Sequence, residues 1–107
     1  MRGLTRVTEP TIEVLQVLLV SHGALWGLRI AKETGRPTGT VYPILARLES
    51  LGWVQGDWED APERSGPRRR LYRLTDGAVE LAAEAIEARR RAAATTAPRP
   101  AAAGGAL

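Results

Sequence analysis

The sequence predicts an α+β chain, mainly α, on three observations. Three helix-type segments follow one another between Thr11 and Gly52, and each ends at a glycine. Two strand-type segments then flank a charged loop that holds two prolines and a glycine. One more helix signal opens at Thr75.

A chain of 107 residues has room for one modest core. Its 44% hydrophobic and 25% charged residues are those of an ordinary globular chain. It has no cysteine and one histidine, His22, which excludes disulfide frameworks, thiolate metal sites and a Ser-His-Asp arrangement with a base to spare. The expectation is no metal and no cofactor. The longest uninterrupted apolar run, Val17–Val20, is far too short to span a bilayer, and a cytoplasmic location is expected. Net charge is +3, carried by fourteen arginines against the single lysine Lys32. A GC-rich genome would give the same skew, but guanidinium forks also suit phosphate and base edges.

Thr8 followed by Pro10 predicts the first helix start. The run 11–21 then carries Ile12, Val14, Leu15, Val17, Leu18, Leu19 and Val20, relieved by Glu13 and Gln16. A helix apolar on more than one face needs two burying surfaces, and a second subunit is the expected second one. His22-Gly23 closes it, with Gly23 as the expected C-cap. A second helix over 26–34 places Leu28, Ile30 and Ala31 inward and stops at Gly35.

The third helix starts between Thr38 and Thr40 and ends at Gly52. Val41, Ile44, Leu45 and Leu48 form its buried stripe. Gly39, Pro43, Ala46 and Ser50 lie opposite, flanked by Tyr42 and Arg47, with Glu49 toward the core edge. A start at Thr38 leaves Pro43 in the interior, where it removes one internal bond and kinks the helix. The outer face is small and lacks acid at its centre. Such a face can enter a major groove, with its N-terminal residues at the base edges. Thr38 and Thr40 are expected to meet phosphate, helped by free backbone N–H groups. Pro43 presents an apolar ring to a thymine methyl.

Strands are expected over 53–59 and 69–74, the second from its alternation of Tyr72 and Leu74. The hairpin is acidic as it rises, with Asp57, Glu59, Asp60 and Glu63, and basic as it returns, with Arg64, Arg68, Arg69, Arg70 and Arg73. Cross-strand pairing occupies only some of these arginines, and Arg64, Arg68 and Arg69 are expected at the nucleic acid. Thr75 is read as the N-cap of a last helix running to about Ala92, with Val79, Ala82, Ala83 and Ile86 as its apolar stripe. Residues 93–107, rich in Ala and Pro, are expected to be disordered. Three helices and a hairpin make a winged helix-turn-helix.

The stretches "TGTVYPILARLESLGWV" and "GPRRRLYRLT", with a glycine two places on, resemble the PadR family of transcriptional regulators. The resemblance rests on Gly39, Thr40, Tyr42, Pro43, Leu45, Arg47, Leu48, Glu49, Gly52, Arg70, Tyr72, Leu74, Thr75 and Gly77, and spans about residues 11–82. The opening "RPTG" of the third helix departs from the family's usual serine or proline pair. The single short helix after the wing resembles the family's compact subgroup. The resemblance implies a homodimeric repressor, not an enzyme, that binds a palindromic double-stranded DNA operator and is released by a small-molecule effector. It divides the chain into a DNA-binding domain over 1–75, a dimerisation helix over 76–92 and a tail over 93–107. It also implies a dimer interface from the first and last helices, here Ile12, Leu15, Leu19, Val79 and Ile86. Trp26 is the candidate wall of a pocket for a small aromatic effector. The alternative is a winged-helix protein-interaction module without DNA binding, which the acidic side of the hairpin supports.

Overall fold

The computed structural model describes residues 3–4, 7–21, 23–60, 66 and 68–96. His22, Glu63, Arg64 and the tail beyond residue 96 lie outside the described residues. Seven elements follow in order: α1 (Glu9–Ser21), β1 (Leu25–Trp26), α2 (Gly27–Thr34), α3 (Thr38–Ser50), β2 (Val54–Trp58), β3 (Arg70–Leu74) and α4 (Asp76–Thr96).

The Thr8 hydroxyl accepts from the Thr11 N–H at 3.4 Å, so Thr8 caps α1 as its sequence implies. At the other end Gly23 is not at positive φ. Instead the Ser21 hydroxyl donates to the Leu18 carbonyl at 3.0 Å, satisfying one of the last-turn acceptors. Gly35 does close α2 in the left-handed region, at φ 73°. Gly52, at φ 83°, closes α3. Its N–H donates to the Glu49 carbonyl at 3.1 Å while the Trp53 N–H reaches the Leu48 carbonyl at 2.9 Å, the paired bonds of a Schellman motif.

The core joins both sides of α1 to the rest of the chain. Val14, Leu15 and Leu18 meet Ile30 of α2, Val41, Leu45 and Leu48 of α3, Trp53, Val54, Tyr72 and Leu74 around the sheet, and Ala78, Ala82 and Ile86 of α4. Helix α4 of the same chain thus covers one face of α1, while Val20 stays exposed. Three expected core positions differ. Leu28, Val79 and Ala83 are exposed, and Ala78 takes the inward place on α4.

The sheet has three antiparallel strands in the order β1-β3-β2, where the sequence predicts only a hairpin. Leu25 pairs with Tyr72 and Trp26 with Leu71, which draws the start of α2 onto the wing. Thr75 precedes α4, but its hydroxyl donates to the Gly52 carbonyl at 2.9 Å rather than capping the helix. It ties α4 to the α3–β2 turn. The Ala-rich stretch carries α4 on to Thr96, four residues past the expected end, because alanine is the strongest helix former.

Candidate nucleic-acid interface

The candidate interface is centred on the third helix. Helix α3 starts at Thr38 with Pro37 at the N-cap and no side-chain cap, so its first N–H groups face outward beside exposed Thr38 and Gly39. Pro43 falls inside the helix, which nonetheless runs unbroken to Ser50. Its missing N–H leaves the Gly39 carbonyl without the usual partner four residues on, and the exposure of Gly39 lets water serve instead. Val41, Leu45 and Leu48 point into the core, with Ile44 half-buried. Gly39, Pro43, Ala46 and Ser50 are all exposed on the opposite side, with Thr40 and Arg47 half-buried along one edge. The small, acid-free ridge thus stands in solvent as the periodicity predicts.

The other edge of α3 faces the wing and the start of α2, and two contacts fix it there. The Arg70 guanidinium of β3 donates to the Glu49 carboxylate at 2.7 Å. That pair sits over Gly56, where a Cβ would come within 3.0 Å of both partners. One turn pair earlier, the Tyr42 ring lies on Gly27 at the start of α2 and remains 40% exposed. Tyr72, buried beneath Arg70, has its phenol pushed above its ordinary value by desolvation. On the far side of the helix pair, Arg36 of the α2–α3 turn grips Glu13 of α1 in a two-pronged pair at 2.7 and 3.1 Å. The Arg36 hydrogen bond holds the Glu13 carboxyl below the usual carboxylate range.

The wing arginines divide. Exposed Arg68 donates from Nε to the Glu59 carbonyl at 3.1 Å and leaves the rest of its guanidinium outward. Arg69 is stacked on the Trp26 indole, its guanidinium carbon 3.7 Å from the ring centroid. Its Nε is buried and meets no acceptor among the described residues. Trp26, Tyr42, Trp58, Tyr72 and Arg68–Arg70 line an open cavity of about 360 Å³ between α2, α3 and the wing. Trp26 lines this cavity, with one indole face already occupied by Arg69.

The expected dimer residues separate as well. Leu15 has no exposed surface, and Ile12 and Ile86 are buried in the core of the chain itself. The reason is that α1 and α4 pack on each other within one chain. Leu19 and exposed Val79 remain, side by side on a second shallow cavity of about 360 Å³. Val20, part of the apolar run of the first helix, is exposed, as is Leu81, which the sequence reading does not single out. It also misses Gly27, Gly56 and the β1 strand. Only the isolated "WG" before a helical pattern could have pointed to the first of these.

Among the described residues no group of acidic, histidine or cysteine side chains could hold a metal ion, and no helix is long and apolar enough to cross a membrane. Residues 14–83 match the transcriptional regulator PadR-like family. No curated protein is significantly similar to the chain. Among solved structures, a PadR-like transcriptional regulator from Bacillus cereus, BC4206, superposes with a TM-score of 0.62 at 21% identity, covering 79% of this chain and 84% of that one. ZitR of Lactococcus lactis, a zinc-responsive MarR family member, gives 0.63 at 19% identity over 88% of this chain. This chain spans only 61% of ZitR. AF1382 from Archaeoglobus fulgidus gives 0.62 at 18% identity, covering 80% and 90% of the two chains. At these identities the likeness establishes the winged-helix fold and nothing finer.

Proposed function

The chain belongs to the transcriptional regulator PadR-like family, whose members are regulators and not enzymes, and on that premise we propose that it is a DNA-binding repressor acting as a homodimer on a palindromic operator. The observation that carries this reading is the outer face of α3. Gly39, Pro43, Ala46 and Ser50 form an exposed ridge free of acid and bulk, beside an uncapped helix start. In this reading the ridge enters the major groove and Tyr42 and Arg47 reach base edges from its two sides. Thr38, Thr40 and the outward N–H groups hold phosphate, as do Arg64 and Arg68 from the wing. Arg69 contributes charge to the same side while braced on Trp26.

The second copy docks on the apolar surface left by α1 and α4, where Leu19, Val20, Val79 and Leu81 lie outside the core. Release by a small aromatic effector would act at Trp26, where such a molecule competes with Arg69 for the indole face. A cytoplasmic location follows from the role.

Selection of bound duplexes from a random pool by the purified full chain tests the reading. The expected product is a palindrome whose half-sites repeat about 34 Å apart, one helical turn. If each subunit neutralises about four phosphates, the log–log salt slope is about −7 for the dimer. Recovery of no preferred sequence together with a flat salt response would refute DNA binding. It would favour the protein-interaction alternative, which exposed Asp57 and Asp60 support.

A further inference from the structure

Gly27 has no side chain and lies at the first position of α2, away from the ridge that meets DNA in the reading above. It is buried, and what buries it is the ring of Tyr42. A methyl group built on Gly27 would lie 2.6 Å from Tyr42 Cζ and 2.7 Å from the Tyr42 hydroxyl oxygen. Both distances are well inside van der Waals contact, so ring and methyl cannot share the space. The colliding atoms are the far end of a side chain and not backbone. An alanine at position 27 therefore evicts the ring more easily than it breaks the fold.

We propose that Gly27 is a positioning residue for DNA recognition: its bare Cα is the seat that fixes the Tyr42 side chain in one direction against the recognition helix. The inference rests on the DNA-binding reading and deepens it. A tyrosine on a helix surface has staggered alternatives at χ1, and the ring must be held in one of them before binding to make a base contact reproducible. The Gly27 seat supplies that selection from a neighbouring helix. Trp26, which precedes it, is anchored by β1 pairing to Leu71, so the seat itself is tied to the wing. The φ of Gly27 is not among the positive values, which leaves steric room as the reason for glycine here.

The test uses the full chain, a duplex selected by the wild-type protein from a random pool, and a scrambled duplex of equal length. Gly27→Ala should weaken binding to the selected duplex about 10-fold and to the scrambled duplex less than about twofold, since base contacts and not phosphate contacts are lost. Tyr42→Ala should do the same. In the Tyr42→Ala background, adding Gly27→Ala should change neither affinity, because the ring it displaces is gone. Tyr42 ring resonances should move in Gly27→Ala while methyl resonances of Ile30 and Leu45 stay in place. Should Gly27→Ala fail to fold, the double variant must fold, or the seat is structural and the proposal falls. Equal loss on both duplexes, or none, overturns the positioning role while leaving DNA binding intact. Failure of the wild-type protein to select any duplex removes both.

Discussion

The ion pair between Glu49 and Arg70 ties α3 to the wing by charge, and its strength follows from its geometry. Two unit charges about 4 Å apart attract by about 4 kcal/mol at the effective dielectric of a protein surface. Here the closest atoms are 2.7 Å apart, but the two side chains keep 31% and 34% of their surface in solvent. Screening and the ordering of two long side chains reduce such a pair to about 1 kcal/mol. Arg70 has a further role that Glu49 lacks, because its guanidinium stands 5.5 Å from the Trp58 centroid and 6.0 Å from that of Tyr72. These two contacts add about 0.5 kcal/mol each. Glu49→Gln should then cost about 1 kcal/mol and Arg70→Ala about 2 kcal/mol, with a coupling of about 1 kcal/mol between them. Urea denaturation of the wild type, both single variants and the double variant gives the coupling directly. Raising salt from about 0.1 M to about 1 M, which shortens the screening length from about 10 Å to about 3 Å, should shrink it by half or more. A coupling below about 0.3 kcal/mol at low salt, or one indifferent to salt, would refute the claim that charge holds the wing to the helix.

Three other substitutions separate folding from binding. Gly39→Ala meets open space and no positive φ, so it should stabilise the fold by about 0.5 kcal/mol while weakening binding to the selected duplex. A variant that gained stability and kept full binding would mean the ridge does not enter a groove. Leu45→Ala removes a side chain with no exposed surface and should cost about 3 kcal/mol in chemical denaturation. A loss under about 1 kcal/mol would show that the α3 core face can collapse or is not buried. Glu13 has its carboxyl pKa depressed from 4.5 by Arg36, so the pair's contribution is present above that value and lost as pH falls through the lower folded value. Glu13→Gln should therefore flatten the acid limb of the stability–pH curve and leave the shape near neutrality unchanged. An acid limb identical to the wild type's would rule the pair out as a source of pH dependence.

What the sequence made legible were the features with a period or a fixed offset. The i, i+3, i+4, i+7 stripe of α3 placed Val41, Leu45 and Leu48 inward because no other face of that helix is apolar. Gly35 and Gly52 followed from the demand for a left-handed residue after a helix. The α1 helix was ambiguous for the opposite reason. Apolar residues nearly all round it could equally face a twin or α4, and periodicity carries no information about which chain supplies the cover. The β1 strand was illegible because two residues have no alternation to detect. Thr75 looked like a cap from its place, yet its hydroxyl found carbonyls 22 and 23 residues earlier in the chain, which local spacing cannot register. The stacking of Arg69 on Trp26 and the seat of Tyr42 on Gly27 are of the same kind. Each joins elements far apart in sequence that only the closed fold brings together.

These long-range ties bear on how the proposed recognition surface is held. Taken as a helix alone, α3 would present its ridge at whatever angle its own core face allows. In the folded chain its wing-side edge is clamped at two points, Tyr42 on α2 and Glu49 on β3, one full heptad apart on the same side of the helix. Two anchors along an axis fix both its tilt and its rotation, which one anchor cannot do. Both glycines beneath them, Gly27 and Gly56, are sites where any side chain would collide with an anchor. The wing is thus part of the apparatus that aims α3, in addition to any contact its arginines make. Disturbance at the wing's base should consequently degrade sequence preference, whereas disturbance at its arginine-bearing return should degrade affinity for all duplexes alike.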